Sequence, residues 1–459
     1  MAVDQSAKVR FREKFGYGVG DLASALYINF FNFFLLYYFV DLAGLAPAAV
    51  GLMLFLTKLM DAVTDPVMGI VSDRTRTRWG RYRPYLLWGA VPLGVTGALI
   101  FAAPELSKTG LLVWAYVTYA LTMIAFTVVF VPYSGLLGAI SPSARERTSV
   151  AAYRMVFSAL ATVAVGALGT TMVREISQGD ESYGIMVTMF CIAGVAVFSI
   201  WWTFATTTER VPAAKENGNI KGDLAVLIRT PDWIAVAIAA MLVPVAIAAR
   251  AGTGLFFFKY VVGDDGTPVF LFFDRVALFF TALAVGQVTG VVSGNLLQRR
   301  FEKAHLLVVA GTIKVSSIFL FYLVPLDSVW LQTATQLLVG LGFGVMMVLA
   351  YSMFTDIAEY LEWKSGRQMT ALVISASIFA IKTGVAVGGA VPAFLLGMSG
   401  FTAGAEQSES AVAGINIAFA LVPAVVIIPA GLAMLFYKLD HGTIAKIERE
   451  LASRRAAIT

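Results

Sequence analysis

The chain alternates between apolar stretches of about twenty residues or more and short polar breaks, with no period-two alternation inside the stretches. As an α-helix, a stretch of that length matches the roughly 30 Å hydrocarbon core of a bilayer. The pattern predicts twelve spans, at 15–40, 47–73, 84–103, 109–138, 149–173, 183–207, 233–261, 269–297, 304–324, 328–359, 368–397 and 411–437. The longest polar break, 208–232, carries proline, glycine and charge and reads as a linker between two sets of six. The expected fold class is an all-α membrane protein with twelve transmembrane helices in two six-helix bundles. Its parts are an N-terminus at 1–14, bundles at 15–207 and 233–437, the linker, and a tail at 438–459.

Composition agrees: 58% hydrophobic and 14% charged residues over 459 positions exclude a water-soluble globule. Unbroken runs also argue against a β-barrel, whose strands alternate. The opening MAVDQSAKVRFREK leads into the first span without a small-residue cleavage pattern, so no removed signal peptide is expected. Cys191 is the sole cysteine and is expected to be a small buried filler. His305 and His441 sit at predicted helix ends beside basic residues, far from a second ligand. No metal cluster, cofactor or nucleophile–base constellation is expected, and hence no enzyme.

The net charge of +5 changes the picture through its placement. Lysine and arginine gather in alternate loops: Lys8–Lys14, Arg74–Arg83, Arg145 with Arg147, Arg210–Arg229, Arg299–Lys303, Lys364 with Arg367, and Lys438–Arg455. The intervening loops carry Asp41, Glu105, Asp180, Glu181, Asp264, Asp265 and Glu406. Loops rich in Lys and Arg stay in the cytoplasm, so both termini are expected inside and no nucleic-acid partner is needed.

Inside the second span, Asp61 and Asp65 stand four residues apart, on one helix face about 6 Å along the axis. A carboxylate at bilayer depth costs roughly 2.5–3.5 kcal/mol, and a pair adds mutual repulsion. Such a pair calls for a visiting positive group, a proton or a cation, with Thr57, Lys58 and Thr64 near enough to assist. The alternative is a structural Lys58–Asp61 ion pair with Asp65 near a helix end.

The halves echo each other. Gly69, Asp73, Arg74 and Arg78 after the second span are matched by Gly290, Gly294, Arg299 and Arg300 after the eighth. Arg145, Glu146 and Arg147, then Arg154, are matched by Asp356, Glu359 and Arg367, then Lys382. Parallel, pseudo-symmetric halves suit a protein that rocks one bundle against the other around a midplane site.

The motif G-x-x-x-D-R-x-x-x-R at Gly69, Asp73, Arg74 and Arg78 resembles the helix 2 to 3 loop signature of the major facilitator superfamily. D-A-x-x-D-P-x-M-G followed by R-W-G-R-x-R-P, from Asp61 to Pro84, resembles the glycoside-pentoside-hexuronide:cation symporters, the family of the melibiose permease. Further matches are G-Y-G-x-G-D at Gly16–Asp21, Y-Y-F-x-D at Tyr37–Asp41, V-P-Y at Val131–Tyr133, R-E-R at Arg145–Arg147, D-x-x-E-Y at Asp356–Tyr360, and Lys382.

The resemblance implies a coupling cation, Na+ or H+, held by Asp61, Thr64, Asp65 and Thr127, with Lys382 as counter-charge when the cation is absent. Gly69, Asp73, Arg74, Arg78, Arg145, Asp356, Glu359 and Arg367 would serve as gating and loop residues. It also implies two sugar-binding carboxylates, and there this sequence departs, with Ala25 and Phe130 at the matching positions. Asp21 lies one turn before Ala25, and Asn29 and Asn32 continue its stripe. Two readings stay open: a displaced polar site at Asp21, or a structural acid paired with Arg154, a match to a family arginine.

Arg250 has no family match. Deep in an apolar span it would face an acidic substrate group or pair with a helix acid, unless it snorkels near the surface. The aromatics Phe30, Phe31, Phe33, Phe34, Tyr37 and Tyr38 are too dense for one face and are expected to be lipid-facing or packing residues. The resulting expectation is a monomeric secondary transporter of the bacterial inner membrane, in contact with the lipid bilayer, coupling a cation to a small-molecule substrate, a glycoside or sugar derivative. The alternatives are a cation-coupled carrier of an amphiphile such as a lysolipid, or a non-transporting membrane sensor.

Overall fold

In the computed structural model the described residues are 8–211, 220–325, 327–367 and 369–456. Their regular structure is helical: α1 Phe11–Tyr37, α2 Pro47–Arg74, α3 Arg83–Ile100, α4 Lys108–Ile140, α5 Ala144–Ser177, α6 Glu181–Thr206, α7 Ile220–Leu227, α8 Pro231–Phe257, α9 Arg275–Leu297, α10 Lys303–Leu323, α11 Val329–Ser365, α12 Thr370–Met398 and α13 Glu409–Asn416. After α13 the same span continues through a π-helical turn into α14 Val422–Val425 and α15 Ile427–Ala433, before α16 His441–Ala456. Further π-helical turns, Tyr38–Leu42 and Phe258–Val262, extend α1 and α8.

Among the described residues, 11 helical stretches are long and apolar enough to cross a membrane. The remaining expected span is α3, with 18 residues. It is about 27 Å long, enough to cross, but Arg83, two prolines and three glycines dilute its apolar character. Part of the expected linker is helical as α7, where Asp223 bridges Arg367 at 2.8 Å; residues 212–219 of that linker lie outside the described residues.

The chain forms two compact units. The first contains 1–215 with 254–281 and 396–411; the second contains 216–253, 282–395 and 412–459. In the first unit, α1 packs against α5 and α6. The aromatics Phe30, Phe31, Phe33, Phe34, Tyr37 and Tyr38 are all buried, so of the two expected roles, lipid-facing or packing, they take packing. Phe33 stacks on Phe280 at 4.0 Å, and Tyr17 on Tyr133 at 4.6 Å with each hydroxyl donating to the other's backbone carbonyl. Cys191, expected buried, is instead exposed on α6.

In the second unit, α9 and α11 meet backbone to backbone. A Cβ added at Gly286 or Gly290 would collide with the carbonyls of Leu337 and Leu341, and one at Gly340 or Gly344 with those of Leu283 and Gln287. This reciprocal small-residue spacing is the one membrane helices use for close approach. Around it Met346, Leu349, Met353 and Phe354 of α11 pack with Ala239, Val243 and Ile427.

Candidate functional site

Asp61 is buried, 6% exposed, on the face α2 turns toward α4. Lys58 Nζ lies 3.4 Å from its Oδ2 and also 3.4 Å from Met123 Sδ. Its other oxygen, Oδ1, is buried without a protein hydrogen-bond donor. One turn on, Asp65 Oδ1 accepts the hydroxyl hydrogen of Thr127 at 2.9 Å. The structure thus brings Asp61, Asp65 and Thr127 together on two neighbouring helices, with Lys58 beside the first carboxylate. Thr64 and Thr57 turn their hydroxyls onto the backbone carbonyls of Met60 and Met53 at 3.2 and 2.8 Å, leaving hydroxyl lone pairs available. Chemically this is a cluster of hard oxygens carrying two negative charges and one nearby positive charge, suited to a proton or an alkali cation.

On α1, Asp21 is buried and its Oδ1 accepts from Arg154 Nε of α5 at 2.9 Å. The guanidinium also lies 5.4 Å from the Tyr133 ring centre. Of the two readings of Asp21, the ion pair with Arg154 is the contact present. Asn29 donates to the Ala25 carbonyl at 2.7 Å and to Thr162 at 3.1 Å. Ala25 and Phe130 are buried, the latter ring 4.3 Å from Phe126.

The loop after α2 is held by a residue that its sequence does not announce. Glu209 accepts the backbone N–H groups of Arg81, Tyr82 and Arg83 at 2.9, 2.8 and 3.0 Å, satisfying the orphan donors at the start of α3. Gly80, at φ +107°, sits where a Cβ would strike the Glu209 carboxylate. Asp73 accepts from the Tyr82 hydroxyl at 2.6 Å, a contact within the loop, and Arg78 stacks on Trp79. Gly69 faces open space, Arg74 ends α2 and Arg145 is exposed in the first turn of α5. Glu13 receives both Arg210 nitrogens at 2.8 Å.

At the opposite end of this unit, Asp41 accepts from Lys259 at 2.8 Å and from the Tyr260 hydroxyl. Arg174 bridges Asp274 at 3.0 Å and donates to the Gly266 carbonyl. They flank a cavity of about 360 Å³ whose wall includes Glu181, Asp264 and Asp265. Burial, then the neighbouring Asp274 charge, pushes the Asp264 carboxyl above its ordinary range; burial does the same to Asp274.

In the second unit, Asp356 is buried and grips Lys303 at 2.6 and 2.8 Å, with the Tyr437 hydroxyl 3.1 Å away. Glu359 is half-buried one turn on, and Lys382 is half-buried within α12. Arg250 is not a surface snorkeller: it is fully buried, its Nε donating to Gln336 and its Nη1 to the Phe419 carbonyl, both at 2.9 Å. Sequence reasoning missed Lys259, Glu209 and Lys314. Lys314, a lone cation inside an apolar run, carries the same signal that drew attention to Arg250.

Comparison with known proteins gives a consistent picture. The family model described as MFS/sugar transport protein matches residues 16–441. YagG of Escherichia coli (strain K12), provisionally named a glycoside/cation symporter, is 31% identical over 98% of this chain and 96% of its own length. A glucuronide carrier protein homolog of the same strain is 29% identical over 98% of this chain and 97% of its own. Among solved structures, a bacterial homolog of the human lysosomal transporter Spinster, inward-facing and unoccupied, superposes with a TM-score of 0.67 at 13% identity. It covers 95% of this chain and 98% of its own, a likeness of fold.

Proposed function

Because the chain belongs to the MFS/sugar transport protein family, we propose that it is a cation-coupled symporter of a glycoside or other sugar derivative, working by alternating access in a bacterial inner membrane with both termini inside. The observation that carries this reading is the α2–α4 cluster. A buried Asp61 oxygen without a protein donor lies one turn from Asp65, which is already engaged by Thr127. A fixed structural ion pair would satisfy its acid; here Lys58 reaches one oxygen, at 3.4 Å, and the other has no protein donor among the described residues.

The coupling follows as linkage. A cation or proton at Asp61 and Asp65 cancels charge that is costly to carry through the bilayer, and so favours the substrate-competent, reorienting form. Six-helix bundles at 15–207 and 233–437 are the moving parts we assign. YagG, provisionally named a glycoside/cation symporter, supports the substrate class. Uptake into proteoliposomes tests the proposal: a labelled glycoside should accumulate above equilibrium under an inward Na+ or H+ gradient. Uptake that merely equilibrates, whatever the gradient, would refute it.

A second reading, carriage of an amphiphile, draws on the buried, apolar Ala25 and Phe130. Gradient-driven uptake of a lysolipid and not of any glycoside would select it.

A further inference from the structure

The second unit encloses two cations. Arg250 of α8 and Lys314 of α10 are both 0% exposed. Along α10 Glu302 precedes Lys314 by about 18 Å, and Asp356 follows Gln336 by about 30 Å along α11. Asp356 is in any case committed to Lys303.

Their surroundings donate as well. Arg250 Nε and Nη1 are spent on Gln336 and the Phe419 carbonyl, and its guanidinium lies 4.8 and 4.1 Å from the Phe321 and Phe419 ring centres. The Gln336 amide therefore turns its oxygen to Arg250, leaving Nε2 buried without a protein acceptor. One turn away on α11, Gln332 Nε2 is in the same state. Among the described residues Lys314 Nζ also lacks a protein acceptor; near it are the Phe343 ring, 5.4 Å away, and the repelling charge of Arg250. Gly342 makes room for the lysine stem, since a Cβ there would meet Lys314 Cβ at 2.9 Å.

Buried polar groups are ordinarily hydrogen-bonded, and leaving one unsatisfied is costly. Losing a proton would remove the charge of Lys314 but would still leave N–H donors on Lys314, Gln332 and Gln336. Unmet donors on Lys314 and Gln336, both beside the Arg250 guanidinium, call for a ligand rich in lone pairs and negative in charge.

We propose that Lys314 and Gln336, beside Arg250, form a binding site for an anionic group. The group is either the acid of a sugar-acid cargo or a small free anion such as chloride. This deepens the transport reading and rests on it only for the cargo arm. The relative named as a glucuronide carrier homolog makes a hexuronide the first probe.

The test uses thermal stabilisation of the purified full chain in chloride-free buffer, titrated separately with methyl β-D-glucuronide, methyl β-D-glucoside and chloride. It is repeated on Lys314→Met, an apolar replacement of similar length that removes the buried charge and so should fold. The expected result is half-saturation by the glucuronide at a concentration at least about tenfold below that of the glucoside, with the preference lost in Lys314→Met. A saturable, Lys314-dependent response to chloride alone keeps the anion site and assigns its ligand to the solution. No Lys314-dependent response to either anion, from a variant that melts cooperatively, overturns the site. Gradient-driven uptake of neutral glycoside in vesicles, measured in parallel, shows whether the transport reading survives that outcome.

Discussion

Thr127 donates its hydroxyl hydrogen to Asp65 Oδ1 at 2.9 Å, joining α4 to the second of the two α2 carboxylates. If these oxygens share a cation, the hydroxyl is a ligand as well as a brace. Thr127→Val keeps the shape and removes the oxygen. It should raise the half-saturating cation concentration about tenfold, the equivalent of roughly 1.4 kcal/mol, while Thr127→Ser stays near wild type. Cation titrations of thermal stability in the three proteins give the comparison; equal midpoints would exclude Thr127 from the site.

Asp21 and Arg154 are mutually dependent. Asp21→Asn leaves a guanidinium without its carboxylate in an apolar unit, and Arg154→Gln leaves the converse. Each should lower the melting temperature by several degrees, and the double variant should lose less than the sum, with a coupling of about 1–2 kcal/mol. Additive losses in the double-mutant cycle would mean that the pair contributes nothing.

Glu209 fixes the α2–α3 loop through three backbone N–H groups. Glu209→Ala should cost about 1–2 kcal/mol and speed tryptic cleavage between Arg76 and Arg83. Gly80→Ala should do likewise, because its positive φ and the adjacent carboxylate both reject a Cβ. Unchanged cleavage in both would refute the cap.

Asp264 titrates outside the membrane spans, and its folded pKa lies above the ordinary 3.8 because of burial and the charge of Asp274. The folded protein therefore holds this proton more tightly than the unfolded chain. The associated stabilisation is complete below pH 3.8 and is lost as pH rises through the elevated value. Asp264→Asn, permanently neutral, should be more stable than wild type at neutral pH and flatten the fall in melting temperature above pH 4, an outcome read directly from melting curves across about pH 4–8.

Much of this molecule is legible from its sequence, for identifiable reasons. Helical spans follow from long apolar runs, because the bilayer leaves few other ways to satisfy a backbone. Asp61 and Asp65 stand out because a charge in such a run is costly, and the motif around them led to Thr127 on another helix. Burial around each helix is set by tertiary neighbours, which is why Cys191 is exposed where its residue type suggests a buried filler. Glu209 reads as an ordinary linker charge, and its role arises only where the chain folds back on the loop at Arg81–Arg83. Lys314 had the same sequence signature as Arg250, but its lack of a protein acceptor becomes visible only when α10 and α11 are packed.

The most direct test of the account is cation-dependent thermal stabilisation of the purified protein, measured with Na+ at fixed pH and with pH at fixed Na+. It should be run on wild type, Asp61→Asn and Asp65→Asn. The account predicts saturable stabilisation of wild type by Na+ or by protons, abolished in each variant while both still unfold cooperatively. Stabilisation that persists with an unchanged midpoint in both variants would contradict it.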